Sequence, residues 1–167
     1  RLVNLVEQIT NPALQTFIAQ VLLQPSVTVC YLRNPASQSH HHAFLGGLLR
    51  HSVEVAELAL TKVNTSKEAD IVITVALLHD IGKVKTLSDN LRLTSTGYLI
   101  EHDDLTLEIC SDALSSLQTH DFETANILRH CWTCASPNAR YGYKPKYNVA
   151  RIVQESDQLS SRIPHSI

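Results

Sequence analysis

Ala76-Leu77-Leu78-His79-Asp80-Ile81-Gly82-Lys83 closes a long apolar run that begins at Ile71. How that run is read decides the fold. Its β-branched residues, Ile71, Val72, Ile73, Thr74 and Val75, fit a buried strand. The residues before it favour a buried helix, because Thr65 and Glu68 form a Thr-x-x-Glu capping box that starts a helix at about Ser66. Gly82 then falls just past the helix end, where a left-handed residue is expected. A helix C-terminus carries partial negative charge and favours a cation. An adjacent histidine and aspartate at such an end suit a metal ion, with Lys83 close enough to reach an anion bound to it. Alone, a His-Asp pair is more often an ordinary surface feature, so the remaining sequence carries the decision.

A length of 167 residues suits one domain, 1–167, with a sizeable core. The chain begins at Arg1 without methionine and is expected to be a piece of a longer protein. Hydrophobic content of 44% and charged content of 18% are ordinary for a soluble globular protein. No apolar run approaches the roughly 20 residues of a membrane helix, and no signal-peptide pattern is present, so no membrane partner is expected. Four cysteines (Cys30, Cys110, Cys131, Cys134) do not resemble a disulfide framework and point to a reducing, cytoplasmic setting. Cys131-Trp132-Thr133-Cys134 has redox or zinc spacing, but no second pair follows it, so two half-buried thiols at a helix end are expected. A net charge of −2 exerts no global pull toward nucleic acid. Nine histidines are unusual and add weight to metal chemistry.

Along the chain, Leu2 to Ile9 reads as a short helix. Asn11-Pro12 opens a second, to about Leu23. Pro25 to Ser39 reads as irregular, with Pro25, Asn34-Pro35 and several serines. One central helix is expected from Ala43 to Val63, with Phe44, Leu45, Leu48, Leu49, Val53, Ala56 and Leu60 over much of its surface. Gly46 and Gly47 weaken that helix and suit a close approach by a backbone or ligand, with His51 one turn on and on the same face. Lys85 to Tyr98 is turn-rich and holds either a small hairpin or an ordered loop. Further helices are expected over Glu101–Leu117, Phe122 to about Trp132 after an Asp121 cap, and Asn148–Ser161, the last with Val149, Ile152, Val153 and Leu159 inward. Ala135 to Tyr147 is a loop. The fold class is all-α, a helical bundle with one irregular or small-hairpin loop around residues 85–98.

Candidate ligands occur in the order His51, His79, Asp80, His102, His130, Asp157, each on or at the end of an expected helix. Every interval is long enough for a helix, a turn and a return, so a bundle can aim one side chain per helix at a common centre. This set resembles the HD superfamily of metal-dependent phosphohydrolases, whose signature is His…His-Asp…Asp. His51, His79-Asp80 and Asp157 match it, Lys83 matches the lysine of the His-Asp-x-x-Lys form, and the likeness covers about residues 12 to 162. The resemblance implies an HD domain with one metal ion on the first set. It implies a second ion where two extra histidines, matched here by His102 and His130, are present, with Asp80 bridging. Imidazole and carboxylate together suit one or two divalent transition-metal ions: Mn, Fe, Co, Ni or Zn. The implied reaction is attack of metal-activated water on phosphorus, with Asp80 and Lys83 as catalytic residues and Lys83 neutralising charge on the phosphoryl oxygens.

Pro35-Ala36-Ser37-Gln38-Ser39-His40-His41-His42-Ala43-Phe44-Leu45-Gly46-Gly47-Leu48-Leu49-Arg50-His51 is similar to a segment in two HD branches that act on nucleic acids. These are the YhaM-like 3′-to-5′ exoribonucleases and the MobH-type conjugative relaxases. The letters are nearer the relaxases, and the spacing from His79-Asp80 to His102 is nearer the exoribonucleases. Both branches carry further parts outside this chain. The implied function is a phosphodiesterase, nuclease-like hydrolase acting on single-stranded nucleic acid or nucleotides. His42, Lys83, Arg140 and Lys144 are the candidate substrate contacts. Arg140 to Tyr147 interleaves basic and aromatic residues without an acid, a pattern that tracks a phosphate backbone while tyrosines stack bases. Two rival readings share the ligand set: an HD-type di-iron oxygenase, and a non-catalytic nucleic-acid- or ligand-binding HD module such as a relaxase accessory domain. Oligomeric state has no signature in the sequence.

Overall fold

Thr65 starts the buried helix as expected. Its hydroxyl accepts from the Glu68 amide at 3.2 Å and donates to the Glu68 carboxylate at 3.1 Å. The computed structural model describes residues 1–163, so positions 164–167 of the expected domain lie outside the described residues. Nine helices occur among them: α1 (Leu2–Gln8), α2 (Pro12–Leu22), α3 (Pro25–Arg33), α4 (Gly47–Leu60), α5 (Ser66–Leu78), α6 (Lys83–Thr86), α7 (His102–Gln118), α8 (Phe122–Thr133) and α9 (Asn148–Ser160). The fold is all-α. No single helix among the described residues is long and apolar enough to cross a membrane.

Every residue of α5 from Asp70 to Leu78 is buried, so the run lacks amphipathic periodicity because it has no solvent face. α4 lies along it, α9 packs on both, and α2 and α8 close the other sides, with α7 packed on α2 and α8. Phe17 of α2 stacks on Trp132 of α8 with ring centroids 6.2 Å apart. Asp70 is buried but not bare: its carboxylate accepts from the Thr10 amide and hydroxyl and from the Asn11 amide at 2.8–3.0 Å, tying the α1–α2 junction to α5. The last carbonyls of a helix have no partner within it. In α5 each finds one outside. Trp132 Nε1 donates to Val75 O (3.2 Å), His79 Nδ1 to Ala76 O (2.8 Å), the Tyr31 hydroxyl to Leu77 O (2.7 Å) and the Ile81 amide to Leu78 O (3.1 Å).

Three stretches differ from expectation. Residues 25–33 are helical, not irregular: Pro25 sits at the first helical position, where its missing N–H costs nothing, and Val27 and Tyr31, four apart, are both buried. α4 begins at Gly47 rather than Ala43, because the chain turns through His42 (φ 55°) and Gly46 (φ 78°). Leu45 is consequently exposed, and Leu159 of α9 also faces outward. Over 85–98 the hairpin reduces to one antiparallel bridge, Leu87 with Leu93, after the short α6. The four cysteines are free thiols. Burial pushes the Cys131 thiol up to about 12, and Cys134 at the end of α8 is also raised by partial burial.

In urea unfolding, Ile73→Ala, deep in α5, is expected to cost about 2–5 kcal/mol, against about 1 kcal/mol for Thr65→Ala at the exposed cap. Equal losses would mean that α5 is not the core helix.

Candidate metal centre

Gly82 lets the centre form, for a reason other than the expected one. Its backbone is right-handed (φ −57°, ψ −24°), not left-handed. A Cβ there would lie 1.9 Å from the His102 carbonyl oxygen. Only glycine lets the first turn of α7 rest on the chain just after His79-Asp80, and that contact brings the His102 ring to Asp80. Gly47 plays the matching part upstream: a Cβ there would meet the His42 carbonyl at 2.0 Å, so the loop before α4 settles over the turn that carries His51. The close approach expected at this glycine is made by backbone.

Five of the six candidate ligands converge. His51 Nε2 lies 3.2 Å from His79 Nε2, 3.0 Å from Asp157 Oδ1 and 3.5 Å from Asp80 Oδ2. His79 Nε2 lies 3.6 Å from Asp80 Oδ2 and 3.7 Å from Asp157 Oδ1. The other Asp80 oxygen, Oδ1, faces His102 Nε2 at 3.1 Å. Donors held about 2.0–2.2 Å from one divalent ion stand about 3–3.5 Å from one another, so this spacing fits a metal ion. Two imidazole nitrogens facing each other share at most one proton, which leaves a lone pair aimed at the same point. Asp80, with one oxygen on each group, has the position of a bridge.

Hydrogen bonds behind the ligands set their tautomers. His79 gives its Nδ1 proton to Ala76 O, leaving Nε2 toward the centre. His51 Nδ1 lies 3.1 Å from the Ser160 hydroxyl, which donates onward to Glu54 Oε2 at 2.8 Å. His42 Nε2 meets the same carboxylate oxygen at 3.1 Å. Burial by itself would lower the His79 pKa; the Asp80 and Asp157 carboxylates overcome it and raise it to about 9. Burial likewise opposes the charge on Asp80, yet His79, Lys83 and His102 hold its pKa well below the usual carboxylate range. For Asp157, contacts with His51 and His79 outweigh burial and also lower the pKa. Lys83 Nζ donates to Asp80 Oδ2 at 2.5 Å.

The structure does not bring His130 into the centre. Its Nε2 accepts the Lys146 amide at 2.9 Å and its ring meets Tyr147 edge-on, so it anchors the 134–147 loop. In its place Asp103, absent from the sequence expectation, puts Oδ1 3.3 Å from His102 Nε2 and completes a second group with Asp80. Its signal was only its place beside His102. His42 lies behind the centre and not in front of it, buried with its ring centroid 5.0 Å from that of His51, so a substrate does not reach it here. His41, its neighbour in the histidine triplet, is half-buried with its ring centroid 5.7 Å from that of His51. A cavity of about 580 Å³ is lined by His79, Asp157 and Asp103, together with Ala135 and Ser136 of the loop. A smaller one of about 170 Å³ is lined by Lys83, His102 and Ser37. Arg140 and Lys144 stand exposed on the loop after α8, outside the lining of the larger cavity; Lys144 Nζ reaches the carbonyl of Ser136, which does line it.

A helical bundle whose helix ends converge histidine and aspartate on Asp80 defines a class of metal-centred domains. The HD domain family model matches residues 48–162, and the chain belongs to that family. A second family model, described as a putative helicase, matches residues 4–69. Among curated proteins the chain is similar to the 3′-5′ exoribonuclease YhaM of Bacillus velezensis, 28% identical over 162 residues, 93% of this chain and 51% of that protein. The chain thus spans about half the length of that relative. No solved structure matches.

Two outcomes follow for the metal-free chain. Because the His79 pKa is raised from 6.5 to about 9, its stabilising contribution is complete below pH 6.5 and fades as pH rises through about 9. The Asp80 and Asp157 pKa values are depressed, so their contribution is complete above pH 3.8 and is lost on acidification. Thermal midpoints in EDTA are expected to fall on both sides of that window. Gly82→Ala is expected to lose about 1–3 kcal/mol of stability and to weaken Mn²⁺ binding by calorimetry. Unchanged metal affinity would show that the α7 contact does not set the centre.

Proposed function

We propose that the chain is a metal-dependent phosphohydrolase, a phosphodiesterase acting on single-stranded nucleic acid or nucleotides. The observation that carries this reading is Asp80: one oxygen faces His51 and His79, the other faces His102, and Lys83 sits on the first. His51, His79, Asp157 and Asp80 would hold one divalent transition-metal ion; Asp80, His102 and Asp103 would hold a second. A bound ion supplies Lewis acidity toward a phosphoryl oxygen and makes water acidic enough to deprotonate near neutral pH.

The chain's own residues do the rest. Ser160 and Ala76 keep His51 and His79 turned with Nε2 toward the centre. Lys83 brings a cation to the place where charge develops on a phosphoryl oxygen. Arg140 and Lys144, on the loop whose start lines the larger cavity, are assigned to the phosphate backbone. The nucleic-acid substrate is supported by the likeness to an exoribonuclease and by the acid-free stretch between Glu123 and Glu155. The helices before residue 48 share the core with those after it, α2 packing on α5 and α7, which supports one domain.

Elemental analysis of the purified chain, then Mn²⁺-supplemented assays on bis(p-nitrophenyl) phosphate and on a labelled single-stranded RNA, tests the reading. Asp80→Ala is expected to abolish cleavage of both, and Lys83→Ala to lower kcat about 100-fold or more with the metal still bound. The RNA product ladder separates stepwise trimming from nicking. Two irons per chain with oxygen consumption and no diester cleavage would replace this reading with an oxygenase.

A further inference from the structure

Tyr141 and Tyr143 are 74% and 78% exposed, an unusual display of aromatic surface on a loop of a soluble domain. Neither ring is loose. The Arg140 guanidinium lies 5.2 Å from the Tyr141 ring centroid, and Lys146 Nζ lies 5.5 Å from that of Tyr143. A cation on one face holds each ring and leaves the opposite face for another flat group. The backbone between them turns at Gly142, whose φ of +91° suits glycine.

The loop is fastened to its own start and to α8 at three points. The Ala135 amide donates to Tyr143 O at 2.8 Å, and the Lys146 amide donates to His130 Nε2 at 2.9 Å. Lys144 Nζ donates to the carbonyls of Ser136 and Ala139. Ala135 and Ser136 belong to the wall of the same 580 Å³ cavity that exposes His79 and Asp157. No acid occurs between Glu123 and Glu155, while Arg140, Lys144, Lys146 and Arg151 do. Acid-free basic residues alternating with aromatic rings match a polyanion that carries stackable bases.

We infer that Tyr141 and Tyr143 form a stacking platform that receives two bases of a single-stranded nucleic acid at the mouth of the metal centre. The platform rests on the proposed reading for its substrate class, and it assigns His130 the role of anchoring the platform's loop. Bases stack without regard to sequence, so the platform confers a preference for unpaired strands and not for particular letters.

Fluorescence anisotropy of a short labelled oligoribonucleotide in EDTA measures binding with turnover suppressed. Tyr141→Ala and Tyr143→Ala are each expected to weaken binding about 5- to 100-fold, while Tyr141→Phe and Tyr143→Phe bind like the parent. Phe122→Ala, which removes an equally exposed ring elsewhere, is expected to change nothing. With an oligonucleotide carrying two neighbouring abasic positions, the alanine penalties are expected to shrink, because the ring and the base are lost from one contact. Phenylalanine variants that fail like the alanines, alanine variants that bind like the parent, or no binding by the parent would each overturn the platform. The reaction is judged separately: binding without Mn²⁺-dependent diester cleavage rejects the phosphohydrolase and leaves the platform standing. Cleavage by a chain whose oligonucleotide affinity ignores both tyrosines rejects the platform alone.

Discussion

Four backbone carbonyls at the end of α5 govern where the candidate metal centre stands. A buried carbonyl without a partner costs about 1–3 kcal/mol, so each must be met. Tyr31 of α3 and Trp132 of α8 meet two of them, and the turn after the helix meets another. His79 meets the fourth with its own ring. The same hydrogen bond that completes the helix therefore decides which nitrogen of His79 is left to bind. Folding of α5 and orientation of the ligand are one event.

α4 is where the two halves of the chain meet. All of it after Gly47 falls within both matched segments, 4–69 and 48–162. It packs against α3 as well as against α5 and α9. His51 on this helix reaches Asp157 and Ser160 on α9, so one side chain couples elements more than a hundred positions apart. The loop after α8 joins the same assembly through His130. The site is thus assembled from nearly the whole chain, and no short segment contains it.

Much of this was legible because some residues carry one meaning. The Thr65–Glu68 capping box has few other uses, and it fixed the start of α5. His51, His79-Asp80 and Asp157 were legible from residue type and order, and the family match places them in the HD segment. Other residues carry two meanings that sequence cannot separate. Pro25 both breaks a helix and starts one; the burial of Val27 and Tyr31 decided for the second. Gly82 read as a backbone that needs positive φ, when its backbone is right-handed (φ −57°) and its requirement is room for the His102 carbonyl. Asp103 was hidden because an acid in the first turn of a helix already has an ordinary explanation in the helix dipole. His130 had the right interval, but interval says nothing about which neighbour a ring nitrogen finds once the following loop closes.

The contact between Lys83 and Asp80 has a consequence for how the centre tolerates change. Lys83 Nζ rests on the same Asp80 oxygen that faces His51 and His79. An ammonium there acts as a resident counter-ion to the carboxylate when no metal is bound. In the metal-free chain the local charge balance at this carboxylate is kept by the chain itself. The lysine proposed to act on a phosphoryl oxygen thus also serves as ballast for the carboxylate in the metal-free state.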